Sequence, residues 1–191
     1  MAKIAVLVGS LRQDSINRKL AQAIDTLAGD RLEFDYVDLS QLPHYNEELW
    51  ADAPRSVLDL KQKIDDTDGV LFVTPEFNRS YPGILKDAID WATRPWGDNS
   101  WLNKPAAVIG TSPGAIGAAV GQRELKTIVS AVGTALMAQP EVYFQFKPEL
   151  FDDTGAVVNP DTETFLNGWI DRFAEWINRT GVRPEKLEVA S

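Results

Sequence analysis

The stretch Ile4-Ala5-Val6-Leu7-Val8-Gly9-Ser10-Leu11-Arg12-Gln13-Asp14-Ser15-Ile16-Asn17-Arg18 decides how this chain folds. Its first five residues are all apolar, the pattern of a strand buried on both faces, as in the middle of a parallel sheet. After the polar break, Ile16, Leu20, Ala23, Ile24 and Leu27 recur at helical spacing. A buried strand feeding an amphipathic helix begins a β-α-β unit, and ligands of such sheets bind beyond the strand C-terminal ends. The connecting loop has one glycine at the strand exit, then hydroxyls, an amide and a guanidinium where the helix begins. Helix N–H groups and the macrodipole favour an anion there by about 0.3–1 kcal/mol per charge at an exposed site, and Arg12 adds a planar bidentate partner. The bland alternative is that Ser15 only caps the helix. The loop has neither the Gly-Lys-Ser/Thr of a Walker loop nor a Gly-x-Gly-x-x-Gly fingerprint. A monophosphate held mainly by side chains fits it better, and nucleotide hydrolysis does not.

Outward from this unit, short apolar runs alternate with helical periodicity. Strands are expected at Leu32–Val37, Val70–Val73, Ala106–Ile109 and Ala135–Ala138. Helices are expected at Arg55–Ile64, from Ile84 to Trp91 after Pro82-Gly83, over Ala118–Val132, and from Phe165 to Ile177. Thr93–Lys104, Tyr143–Pro160 and the residues after Thr180 lack clear periodicity and read as loops or a tail. This alternation gives an α/β fold: a doubly wound parallel sheet of five strands with helices on both faces. Five β-α units favour the flavodoxin-like order 2-1-3-4-5 over a six-stranded dinucleotide fold, with another doubly wound order left open. At 191 residues the chain fits one domain, expected over 1–180, with 181–191 as a flexible C-terminal tail.

Two further loops exit the same sheet edge. Thr74-Pro75-Glu76-Phe77-Asn78-Arg79-Ser80-Tyr81-Pro82-Gly83 sets aromatics and amides in a segment stiffened by Pro75, where a flat heteroaromatic ring could dock. Alternatively, it only caps the next helix, with Phe77 or Tyr81 covering the core. Gly110-Thr111-Ser112-Pro113-Gly114-Ala115-Ile116-Gly117 is small enough for a ligand to approach the backbone, or is simply a tight turn into a helix.

Composition narrows the chemistry. There is no cysteine and a single histidine, which excludes disulfide frameworks, thiolate nucleophiles, Cys/His zinc sites and any mechanism using two imidazoles. A formal net charge of −9 repels nucleic acid. No apolar run approaches the roughly 20 residues that span a bilayer, so the protein is expected to be soluble and cytoplasmic, with no membrane partner. His44 lacks a second metal-type ligand nearby and reads as solvated or structural. The pairs Glu47-Glu48, Asp65-Asp66 and Asp152-Asp153 read as charged surface. Neither a metal site nor a catalytic side chain is expected.

Gly9-Ser10-Leu11-Arg12 with Ser15 and Asn17, then Pro75-Glu76-Phe77-Asn78 with Ser80, Pro82-Gly83, Leu85-Lys86 and Ala88-Ile89-Asp90-Trp91, resemble the NADPH-dependent FMN reductase family. That family includes bacterial quinone, chromate and azo-dye reductases, and the similarity runs from about Lys3 to Glu141. The resemblance implies bound FMN, its phosphate on Ser10, Arg12, Ser15 and Asn17 with Ile16 among the cofactor-binding residues. It places the ring against Pro75, Glu76, Phe77 and Asn78 and against Ser112, Pro113 and Gly114. Phe77 stands where many members carry tyrosine, Arg79 and Tyr81 vary the loop, and Asp87 replaces a common asparagine, which bears on substrate preference more than on flavin. The implied activity passes hydride from NADPH or NADH through FMN to a quinone, free flavin or other small electron acceptor. The alternatives are an electron carrier or a flavin-binding sensor without NAD(P)H turnover. A homodimer or homotetramer is also implied. Trp91, Trp96 and Trp101 shield the flavin, line a subunit contact or form a local core.

Overall fold

The computed structural model describes residues 1–181, so the expected tail at 181–191 falls, beyond Gly181, outside the described residues. Six strands, β1 (Ala2–Val8), β2 (Leu32–Tyr36), β3 (Gly69–Val73), β4 (Pro105–Ser112), β5 (Ala135–Leu136) and β6 (Tyr143–Gln145), alternate with five α-helices. These are α1 (Ile16–Ala28), α2 (Arg55–Asp65), α3 (Gly83–Ala92), α4 (Ala119–Ala131) and α5 (Pro160–Thr180). The sheet runs β2-β1-β3-β4-β5, every pairing parallel, which is the expected flavodoxin-like order.

The period of two in the strands separates two apolar layers. Ile4, Val6, Val8, Leu71, Val73, Ala107 and Ile109 face α1 and α5. Ala5, Leu7, Val70, Phe72, Ala106 and Val108 face α2, α3 and α4. The interiors of β1, β3 and β4 are apolar on both faces because each face is covered by helices, whereas edge strand β2 carries Glu33 and Asp35.

The fifth strand position differs from the expected Ala135–Ala138. β5 pairs only with the start of β4, Pro105 and Ala106, and the chain then leaves the edge. It returns as β6, inside the segment read as a loop, to pair Tyr143, Phe144 and Gln145 with Gly110, Thr111 and Ser112. A strand split in this way shows no continuous apolar run, and Tyr143-Phe144-Gln145 is too short for its alternation to stand out. The closing helix is also longer than its apolar stripe, because Asn159 caps it through the Thr162 N–H and Pro160 occupies its first position.

The tryptophan segment divides. Trp91 and Trp101 are fully buried in their own subunit, Trp91 edge-on to Tyr45 and Trp50, Trp101 against Phe72. Both indole N–H groups donate to carbonyls, of Pro43 and Ile89 respectively. Only Trp96 is exposed, with the Arg94 guanidinium 4.2 Å from its ring centroid.

Candidate functional site

The loops after β1, β3 and β4 emerge at the C-terminal edge of three adjacent strands, and two side chains tie them together. Asn17 is buried, and its amide makes a two-way bond with the Thr111 backbone: Nδ2 donates to the carbonyl at 3.0 Å, and Oδ1 accepts the N–H at 2.9 Å. This fixes the start of α1 to the end of β4. Glu76 reaches from the β3 loop to α4, its Oε2 accepting the N–H groups of Val120 at 3.0 Å and Gly121 at 3.2 Å. The residue before α4, Ala118, is left-handed and offers no side-chain cap, so Glu76 is a cap supplied from a distant loop. Both side chains were expected to meet the cofactor. The geometry instead occupies them in holding the loops, and any contact from these residues to a ligand falls to their backbone or to remaining edges.

The β1 loop supplies the free donors. Ser15 is the N-cap of α1, and its hydroxyl accepts from the Arg18 N–H at 3.2 Å. The first two helical N–H groups, of Ile16 and Asn17, therefore have no intrahelical acceptor. Arg12 is exposed and pairs with no carboxylate among the described residues, while Ser10 is largely buried beside them. Two helix N–H groups, nearby hydroxyls and an unpaired guanidinium make a donor set suited to a phosphate monoester.

The β3 loop forms a two-residue hairpin. Phe77 and Ser80 exchange backbone bonds of 2.8 and 3.0 Å, and both central residues, Asn78 at φ 51° and Arg79 at φ 68°, are left-handed. This turn ordinarily carries Asn-Gly. Asparagine tolerates the conformation, whereas an arginine there costs about 1–2 kcal/mol. The Arg79 guanidinium reaches back to Glu76 Oε1 at 3.0 Å and stays largely exposed, and Phe77 is exposed beside it. Pro75 is buried.

The β4 loop depends on small residues. A side chain on Gly110 would place Cβ 2.1 Å from the Thr74 carbonyl oxygen, and one on Gly117, at φ 54°, would meet the Tyr143 backbone at 2.4 Å. Gly114 is different: its Cβ would meet only Ser112 Oγ, at 3.6 Å, so the backbone there is open to approach. Ser112 donates to the Gly114 carbonyl, and the Pro113 carbonyl accepts from Gln145. Beneath the loop, fully buried Gln122 donates from Nε2 to the carbonyls of Gly117 and Val142 at 3.0 and 2.8 Å, and more weakly to that of Gly110. Gln122 was missed from sequence because its acceptors are backbone carbonyls of the β4 end, the β4 loop and the residue before β6, which no side-chain pattern records.

On the β6 side, burial and a hydrogen bond to Glu141 push the Tyr143 hydroxyl up to about 12. Bonds from Lys126, 2.8 Å away, and Tyr143 hold the Glu141 carboxyl below its usual range. His44 is almost wholly exposed, its Nδ1 2.9 Å from Asp87 on α3, the position where the resemblance leads one to expect asparagine. Two grooves, of about 370 and 460 Å³, lie elsewhere, beside α5 and beside β2, and neither takes a residue of the three loops. The candidate site is thus the set of three loops at the sheet edge, apart from both grooves. Among the described residues no cluster of His, Asp or Glu could hold a metal ion, and no helix is long and apolar enough to cross a membrane.

Comparison with known proteins follows this geometry. The family profile described as NADPH-dependent FMN reductase matches residues 2–149. A 2-hydroxy-1,4-benzoquinone reductase of Burkholderia sp is 47% identical over 175 residues, covering 92% of this chain and 96% of the relative. A quinone reductase of Escherichia coli strain K12 is 32% identical over 184 residues, covering 94% and 97%. Among solved structures, the flavoenzyme NAD(P)H:(acceptor) oxidoreductase FerB of Paracoccus denitrificans superposes with a TM-score of 0.93 at 54% identity, covering 94% of this chain and 99% of that one.

Proposed function

Because this chain belongs to the NADPH-dependent FMN reductase family, we propose that it reduces quinones with NADPH or NADH, using FMN held across the three tied loops. When bound, FMN supplies the two-electron chemistry, accepting hydride from the nicotinamide and returning it to the acceptor. The overall change is NAD(P)H + H⁺ + quinone → NAD(P)⁺ + hydroquinone. The observation that carries the reading is Arg12, without a carboxylate partner among the described residues, on the loop that leads into the free first-turn N–H groups of α1, at the same sheet edge as the β3 and β4 loops.

The residues divide the work. Arg12, Ser10, Ser15 and the N–H groups of Ile16 and Asn17 hold the phosphate. Pro75, Phe77 and Asn78 border the ring on one side, and Ser112, Pro113 and Gly114 on the other. Glu76 keeps these two sides at fixed spacing through α4. With one ring face left uncovered, nicotinamide and quinone would stack there in turn, so no side-chain acid or base would be needed and the second proton would come from solvent. The exposed His44 is outside this scheme. The site side of the protein is the single unit 1–180, working in the cytoplasm as a homodimer or homotetramer, for which the exposed Trp96 is the remaining apolar contact candidate on its segment.

Anaerobic addition of NADPH to the FMN-loaded protein tests the activity. Flavin absorbance should bleach without a partner reductase and return on adding a quinone. Bound flavin that stays oxidised would mark an electron carrier instead. Light scattering tests the assembly, with an even multiple of the 21.2 kDa chain expected and a fully active monomer contradicting it.

A further inference from the structure

Arg79 is the least expected residue in its turn. It occupies a left-handed position where glycine would be relaxed, and its guanidinium bonds back to Glu76 of the same loop while the side chain stays largely in water. Glu76 holds it there by one bond, and that carboxylate is already engaged by the start of α4. One donor of the guanidinium's five is used, and the side chain remains 70% exposed. An oriented cation with most of its donors free therefore stands on the β3 loop, next in the chain to residues 75–78 assigned to the ring, and is distinct from Arg12 on the β1 loop.

From this placement we infer that Arg79 is a specificity residue for the acceptor: it selects quinones that carry a negative charge, such as ring-hydroxylated quinones. This rests on the proposed quinone reductase activity. A hydroxyl on a quinone ring is a vinylogous carboxylic acid and is ionised at neutral pH, giving two conjugated oxygens in one plane. That geometry matches a guanidinium edge. The need for a local cation follows from the rest of the molecule, because a protein of net charge −9 repels an anionic acceptor at long range. The sequence offers arginine here at a strained position, and strain at a ligand-facing turn is retained when the side chain has a task.

The test compares two quinones of one ring system: 2-hydroxy-1,4-naphthoquinone, ionised at neutral pH, and 2-methoxy-1,4-naphthoquinone, which is neutral. Binding to the oxidised FMN-loaded protein is measured without reductant, and kcat/KM with saturating NADPH. Arg79→Gln should lower the preference for the hydroxy over the methoxy compound at least tenfold in both readouts, and Arg79→Lys should restore part of it. Arg79→Gly should lose the same preference while melting at an equal or higher temperature, which separates recognition from stability. An unchanged preference in Arg79→Gln overturns the inference. So does a variant whose KM rises for NADPH alone, since the guanidinium would then read the dinucleotide. Failure of the underlying activity has another signature: wild-type protein that neither binds FMN nor is reduced by NADPH.

Discussion

The loop after β1 and the loops after β3 and β4 meet at one sheet edge, yet they hold their shapes by different means. The first is local. Ser15 caps the helix that directly follows it by accepting the N–H of Arg18, three residues on, and the donors it leaves free belong to that same helix. The other two are shaped by partners far along the chain: Glu76 at α4, Gln122 beneath Gly117 and Val142, and the Tyr143 backbone against Gly117. Apart from the Asn17 brace and the Gly9 contact, the phosphate end should therefore respond mainly to its charge, whereas the ring end should fail whenever a packing partner shifts.

The largest effect should separate two glycines. Gly110→Ala drives a Cβ into the Thr74 carbonyl, backbone against backbone, and should cost about 3 kcal/mol or more in denaturant unfolding. At Gly9 the nearest atom is the Leu85 side chain, which can move, so Gly9→Ala should cost clearly less. Equal losses would erase the contrast between the two ends.

Arg12→Ala should weaken FMN binding by about ten- to a hundredfold, the worth of a charge-assisted phosphate contact, and leave the melting temperature of the FMN-free protein unchanged. Titration of flavin fluorescence and a thermal melt read the two halves of that statement. Loss of stability in the FMN-free form would show that the first loop, too, is built by packing.

Glu76→Ala should show the reverse division. It strands the Val120 and Gly121 N–H groups and releases Arg79, costing about 1–2 kcal/mol of stability before any ligand is added. A melt of the FMN-free variant measures it.

The smallest effect is acidic. Glu141 has a folded-state pKa below 4.5, so its contribution is complete above that value and is lost as pH falls through the lower folded value. Wild-type stability relative to Glu141→Gln should thus converge below pH 4.5 and diverge above it. The β1 loop relies on a serine cap and should show no such dependence.

The same division explains what could be read from the sequence. The β-α alternation and the first loop follow from local patterns, because burial on both faces and a helix N-cap are local signals, whereas the strand order is favoured only by the number of β-α units. The β6 return, the Gln122 anchor and the remote capping of α4 by Glu76 arise from contacts between distant segments, and no periodicity records them. Trp91 and Trp101 illustrate the limit: their enrichment in a loop-like stretch left an interface and a core open, and burial against Tyr45, Trp50 and Phe72 makes both core residues. Asn17 and Glu76 were legible as important positions, but their bonds to Thr111 and to α4 give them a bracing role that only the fold reveals.

A crystal structure with FMN tests the site most directly. The account predicts the phosphate within hydrogen-bond distance of the Ile16 and Asn17 N–H groups and of Arg12, with the ring between residues 75–78 and 112–114 and one face open. A phosphate bound away from the start of α1, or a ring lying in either groove beside α5 or β2, would contradict it.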